Sequence, residues 1–110
     1  MQAATARFLR YLRVERNASE LTIKSYREDL EALQEYLADE DEPCPLPSEI
    51  STLDLRGYVS AMTEAGYAKT TISRRLASLR SFFRFAQREG LCRSNPAKPL
   101  RNPRRSRKLP

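Results

Sequence analysis

The sequence predicts an all-α fold of four helices, and three features lead there. Helical periodicity recurs four times, whereas the two-residue alternation of a half-buried strand is absent. Cap and stop residues punctuate these segments, Ser19 and Ser51 ahead of two of them, Gly66 and Gly90 behind two. The length of 110 residues, 40% of them hydrophobic and 31% charged, suits one domain with a small core. A chain of this size buries roughly two-thirds of its unfolded surface.

The first helix is expected over about Ala3 to Arg16, with Phe8, Leu9 and Leu12 on one face and Arg7, Arg10 and Arg13 around it. Asn17-Ala18 breaks it. Ser19 then caps a second helix, about Glu20 to Ala38, whose Ile23, Tyr26, Leu30, Leu33 and Leu37 follow 3-4-3-4 spacing. Lys24, Glu28, Glu31 and Glu35 occupy its opposite face. The next stretch, DEDEPCPLPSE, has three prolines within five residues and reads as a solvated, slightly stiff loop. Ser51-Thr52-Leu53-Asp54 is a capping box opening a third helix, with Leu55, Tyr58, Val59 and Met62 facing inward and Gly66 just beyond its end. The fourth helix is expected over about Thr70 to Glu89 with Gly90 as its stop. Ile72, Leu76, Leu79, Phe83 and Ala86 form its apolar stripe, widened by Phe82.

Charge is distributed unevenly. Residues 1–38 balance, six cations against six acids, and residues 39–64 carry seven acids against Arg56. From Ala65 to Pro110 there are thirteen Lys or Arg against the single Glu89, so the formal net charge of +6 conceals a steep polarity. Clustered cations of this kind suit a polyanion, because they release its condensed counterions. The stripe of the fourth helix opposite its apolar face reads Thr70, Arg74, Ala77, Ser81, Arg84 and Arg88, flanked by Ser73 and Ser78. Small residues alternate there with long cations, so the backbone can approach a groove of duplex DNA while arginines reach past it. Solvated helix faces normally interleave both signs, and this helix has no acid before Glu89.

Catalytic and metal chemistry find no constellation. The chain contains no histidine, which removes the commonest general base and metal ligand, and no cofactor is expected. Cys44 and Cys92 stand far apart and read as reduced thiols. The acids Asp39 to Glu42 lack the glycine and ligand spacing of a calcium loop. Tyr11, Tyr26, Tyr36, Tyr58 and Tyr67 have no base or oxyanion clamp near them in sequence, and are expected as core or boundary residues. No apolar run approaches the roughly 20 residues that span a bilayer, and Met1 opens no signal peptide, so a cytoplasmic location without membrane contact is expected.

The stretch Asn17 to Leu30 (NASELTIKSYREDL) resembles the opening of the core-binding domain of tyrosine recombinases and phage integrases, with its T-x-x-x-Y-x-x-D-L helix. Thr70 to Phe85 (TTISRRLASLRSFFRF) is similar to the last long helix of that domain. Asn95-Pro96-Ala97, then Pro103-Arg104-Arg105 and Leu109-Pro110, is similar to the linker that leads into the catalytic domain of Xer-type enzymes. The resemblance implies a SAM-like orthogonal four-helix bundle over residues 1–93 and a basic Pro-rich linker over 94–110, leading to a catalytic domain not included here. It implies double-stranded DNA as partner and no strand cleavage by these residues alone. It also implies a monomer in isolation and a tetrameric parent enzyme on paired sites. Contacts to DNA would come from the starts of the second and fourth helices: Thr22, Lys24, Ser25 and Arg27, then Lys69, Thr70, Thr71, Arg74 and Arg75, with Ser78 and Ser81 further along. Arg75 lies nearer the apolar stripe and is open to a structural salt bridge with an acid of the first three helices. Two other readings fit the residues: a transcription regulator using the last two helices as a helix-turn-helix, and a protein-interaction domain with a basic tail.

Overall fold

In the computed structural model, which describes residues 1–103, four α-helices follow one another: α1 (Gln2–Val14), α2 (Glu20–Leu37), α3 (Thr52–Glu64) and α4 (Lys69–Arg88). A single turn of 3-10 helix at Pro47–Glu49 interrupts the proline-rich loop, and no strand occurs among the described residues. Arg104, Arg105, Arg107 and Leu109-Pro110, assigned above to the linker, lie outside the described residues.

The helix boundaries follow from local chemistry. Ser19 Oγ accepts from the Thr22 amide at 3.1 Å, and Asn17, at φ 49°, takes the left-handed turn that separates α1 from α2. The expected capping box closes reciprocally: Ser51 Oγ accepts from the Asp54 amide at 3.0 Å, and Asp54 Oδ2 accepts from the Ser51 amide at 2.9 Å. Gly66 and Gly90 stand at φ 84° and 76° just beyond α3 and α4, conformations that a Cβ would strain. In the loop, the Leu46 amide donates to Glu49 Oε1 at 2.9 Å and the Glu49 amide to the Leu46 carbonyl, giving proline-rich chain one fixed turn.

α2 and α4 each pack against the other three helices and form the centre of the bundle. Phe8, Ile23, Leu30, Leu33, Leu55, Ile72, Leu76, Leu79, Phe82 and Phe83 are essentially inaccessible to solvent. Phe82 meets Phe8 edge-on, with centroids 5.6 Å apart, and Phe83 likewise at 5.1 Å. The buried arc of α4 is wider than its sequence stripe: Phe85 is 5% exposed, enclosed by Phe8 and Tyr11 of α1, and Ser78 is 7% exposed. Among the tyrosines, Tyr58 is buried and Tyr11 and Tyr26 half-buried, but Tyr36 and Tyr67 are exposed and so depart from the core-or-boundary expectation.

The chain after α4, expected as linker from residue 94, inserts Ala97 (0% exposed) and Leu100 (8%) into the core cluster. Polar contacts fasten it. Asn95 Nδ2 donates to the Arg80 carbonyl at 3.2 Å, Thr52 Oγ1 to the Pro96 carbonyl at 2.8 Å, and Arg80 reaches both the Leu100 carbonyl and Asn102 Oδ1. Residues 95–102 therefore finish the bundle over α3 and α4, and the first part of the expected linker is an integral part of the domain.

Candidate nucleic-acid interface

The starts of α2 and α4, far apart in sequence, are tied together in space by one buried acid. Asp29 follows Tyr26 by three residues and precedes Leu33 by four, so helical geometry turns it inward toward α4. Its carboxylate is 2% exposed and accepts from Arg74 Nη1 at 2.6 and 2.7 Å and from Ser78 Oγ at 2.6 Å. Arg74 Nη1 also lies 3.3 Å from Ser25 Oγ. A buried carboxylate is tolerable only when paired and hydrogen-bonded, and here two donors satisfy it through three contacts. Arg74 remains 51% exposed, and its Nη2 and Nε make no protein hydrogen bond among the described residues. One nitrogen is anchored, and the rest of the fork stays at the surface.

The other expected contact residues divide into groups. Lys24, Lys69 and Thr70 are exposed, in the first turns of α2 and α4; Lys24 approaches Glu28 only at 3.9 Å, and Lys69 and Thr70 have no side-chain partner among the described residues. Thr22 is exposed and its hydroxyl belongs to the cap, accepting from Ser19 Oγ at 2.9 Å. Thr71 is half-buried. Arg27 is exposed but on the other flank of α2, lining a groove with Gln2, Thr5 and Leu9 of α1, so it is not brought together with Arg74. Ser78 is not a surface residue: it faces Asp29 inside the bundle. Ser81 is half-buried in a cleft between α4, α1 and α2.

Arg74 and Arg75 exchange the roles that sequence reasoning gave them. Arg74 takes the acid partner. Arg75 instead donates from Nη1 to Tyr58 Oη at 3.1 Å, lies 3.9 Å from Met62 Sδ, and places its guanidinium 4.9 Å from the Tyr67 ring centroid. Its Nε is buried without a partner, which fits a structural role between α3 and α4. Burial raises the pKa of the Tyr58 phenol despite the adjacent cation, so Tyr58 remains a neutral acceptor. The cue for Asp29 was available in the sequence as an acid at core spacing between Tyr26 and Leu33.

No group of three or more potential metal-ligating side chains occurs among the described residues, and no helix of the described residues is long and apolar enough to cross a membrane. Residues 5–90 match the family model described as "Phage integrase, N-terminal SAM-like domain". The whole chain is 34% identical over 110 residues to the protein named tyrosine recombinase XerD of Oceanobacillus iheyensis, covering 37% of that protein. It is 39% identical over 106 residues to tyrosine recombinase XerC of Pelotomaculum thermopropionicum, with 94% of this chain and 35% of that protein covered. A XerC of Oceanobacillus iheyensis is 35% identical over 103 residues, covering 94% of this chain and 33% of the relative. The chain thus spans about a third of the length of these curated relatives. No solved structure matches it at comparable significance. With four helices in the expected order and a family model covering most of its length, the chain belongs to the phage-integrase N-terminal SAM-like domain family.

Proposed function

We propose that this domain is the DNA-binding module of a site-specific tyrosine recombinase of the Xer type, gripping duplex DNA with the starts of α2 and α4. The observation that carries the proposal is the anchored arginine. Asp29, itself 2% exposed, holds Arg74 by one nitrogen at 2.6 Å while the side chain stays 51% exposed, and Lys24, Lys69 and Thr70 at the same helix starts are exposed as well. A guanidinium fixed in this way loses less rotamer freedom on binding, which favours a planar, bidentate contact to a base edge or phosphate. Lys24 and Lys69 are suited to phosphates, the contacts that give affinity without sequence discrimination. The similarity to proteins named tyrosine recombinases supplies the reaction context. Strand cleavage and rejoining are assigned to chain outside these residues, since this sequence has no histidine and its tyrosines serve packing or hydrogen bonding.

Fluorescence anisotropy with a labelled duplex tests the proposal. With five to seven phosphate contacts at about −0.9 each, the slope of log K against log salt is expected near −5 to −6. Sequence preference should be slight for this domain alone. A salt-independent affinity, or none at about 50 mM salt, refutes the proposal.

A further inference from the structure

The second half of α4 carries a cationic cleft that the helix starts do not use. Ser81, Arg84 and Arg88 of α4 line it with Tyr11 of α1, Arg16 just beyond α1 and Tyr26 of α2, over a floor of aromatic rings, enclosing about 180 Å³. That is below the roughly 300–1,000 Å³ of small-molecule sites, and suits one small polar group better than a whole nucleotide.

Three guanidiniums converge here, and no carboxylate lines the cleft. Arg16 Nη1 and Arg88 Nη1 both donate to the Tyr11 phenol oxygen at 3.4 Å, so a single oxygen gathers two like charges. Arg88 also lies 4.6 Å over the Tyr11 ring. Arg84 is exposed and has neither ion pair nor hydrogen bond among the described residues. Two acids, Glu15 and Glu89, lie near Arg88 but do not line the cleft, Glu89 at 3.9 Å from Arg88 and 3.3 Å from Arg7. Arg16 and Arg84 have no ion pair among the described residues, and like charges packed together in this way are relieved by an anion.

We propose that this cleft seats one backbone phosphate of the bound DNA, a contact separate from those at the starts of α2 and α4. Arg84 and Arg16 supply its charge, and the Ser81 and Tyr26 hydroxyls serve as neutral donors. The inference rests on the DNA-binding reading. A duplex phosphate, rather than a free one, is indicated by position. Thr70, Arg74, Ala77, Ser81, Arg84 and Arg88 recur along one face of α4. Arg84 stands about 21 Å along the axis from Thr70, roughly six base-pair rises, so one duplex lying on this face reaches both ends.

The test uses the 110-residue protein, duplex anisotropy across a salt series, and a circular-dichroism melt of each variant to verify folding. Arg84→Gln is expected to lower affinity about 3- to 10-fold and flatten the log–log slope by about 0.9, the loss of one phosphate. Ser81→Leu, which leaves the net charge at +6 but fills the cleft, should weaken binding similarly. Arg56→Gln on α3, an exposed cation with the same charge change, should alter affinity less than about 2-fold. Equal effects of Arg84→Gln and Arg56→Gln, or parental binding by Ser81→Leu, overturn the phosphate seat. The DNA-binding reading then still stands if Lys24→Gln/Lys69→Gln weakens the complex. No duplex binding by the parent at about 50 mM salt brings down both. Inorganic phosphate at constant ionic strength should neither compete with DNA nor shift the Arg84 Nε–Hε resonance. If it does both, the cleft is a small-anion pocket and the backbone assignment is wrong.

Discussion

Removing one member of the Asp29–Arg74 pair at a time should produce unequal losses, because the two groups differ in exposure. Asp29 is 2% exposed and Arg74 51%. Arg74→Ala strands a buried carboxylate with only Ser78 as donor. Breaking a buried pair costs about 3–5 kcal/mol, and water entering where the half-exposed guanidinium stood places this case near 3. Asp29→Ala strands instead a guanidinium that can turn to solvent, plus the Ser78 hydroxyl, 7% exposed. An unsatisfied hydroxyl costs about 1–3 kcal/mol, so about 2 is expected. The double variant should lose clearly less than the sum, since no orphan charge remains. Urea unfolding followed by far-UV circular dichroism measures all three, and with a slope near 1.5 kcal/mol/M the Arg74→Ala midpoint should fall by about 2 M. Should Arg74→Ala cost under about 1 kcal/mol, or less than Asp29→Ala, the pair is an ordinary surface contact and the anchoring argument fails. Asp29→Asn gives the functional counterpart: it leaves the surface untouched, yet DNA affinity should fall because Arg74 is released.

Other substitutions probe the remaining features. Leu100→Ala should cost about 2–3 kcal/mol in the same assay, because its side chain is 8% exposed within the core; a change under about 0.5 would mean residues 95–102 are not integral. Gly57→Ala should be neutral or stabilising by up to about 0.5 kcal/mol: the new methyl meets only the Tyr36 hydroxyl, at 2.8 Å, the movable end of an exposed side chain, while α3 gains helix propensity. Gly90→Ala, at φ 76°, should lose about 1 kcal/mol. Spectrophotometric titration should show Tyr11 ionising below the ordinary tyrosine value, through its hydrogen bonds from Arg16 and then Arg88, and Tyr58 ionising above it because of burial. The lowered Tyr11 value adds stability only in the alkaline range above the unfolded value, lost as pH falls through the folded one, whereas the Tyr58 contribution is present below the unfolded value and lost as pH rises through the folded one. Tyr11→Phe should abolish the early phase.

What the sequence made legible was local. Ser19, the Ser51–Asp54 box, Gly66 and Gly90 act within a few residues of themselves, so spacing alone located the helix ends to within a residue or two. The exposed stripe of Thr70, Arg74, Ala77 and Arg84 followed likewise from the 3.6-residue period. Partner choice was not legible in the same way. Whether Arg74 or Arg75 meets an acid depends on how α2 and α4 are rotated against each other, and neighbours on a helix differ by about 100°. Ser78 was misplaced because the arc buried by α1 and α2 extends to Phe85, a width set by three-helix packing rather than by α4 itself. The tail after Gly90 misled through composition, since prolines and cations hid two small anchors, Ala97 and Leu100.

Those anchors change the reach of the chain. A tether rooted at residue 94 and one rooted at residue 102 differ by eight residues of extended chain, about 26–29 Å. With Arg80 clasping Leu100 and Asn102, the root is the later one and is fastened to the helix that carries the exposed cationic stripe. Anything joined beyond residue 103 is therefore launched from a point referenced to α4, within a smaller search volume and, under the proposed function, at a higher effective concentration over the bound duplex. Arg80→Ala loosens that root, so a fluorophore attached at the C-terminus should sample longer distances from α1 even where the helices themselves remain folded.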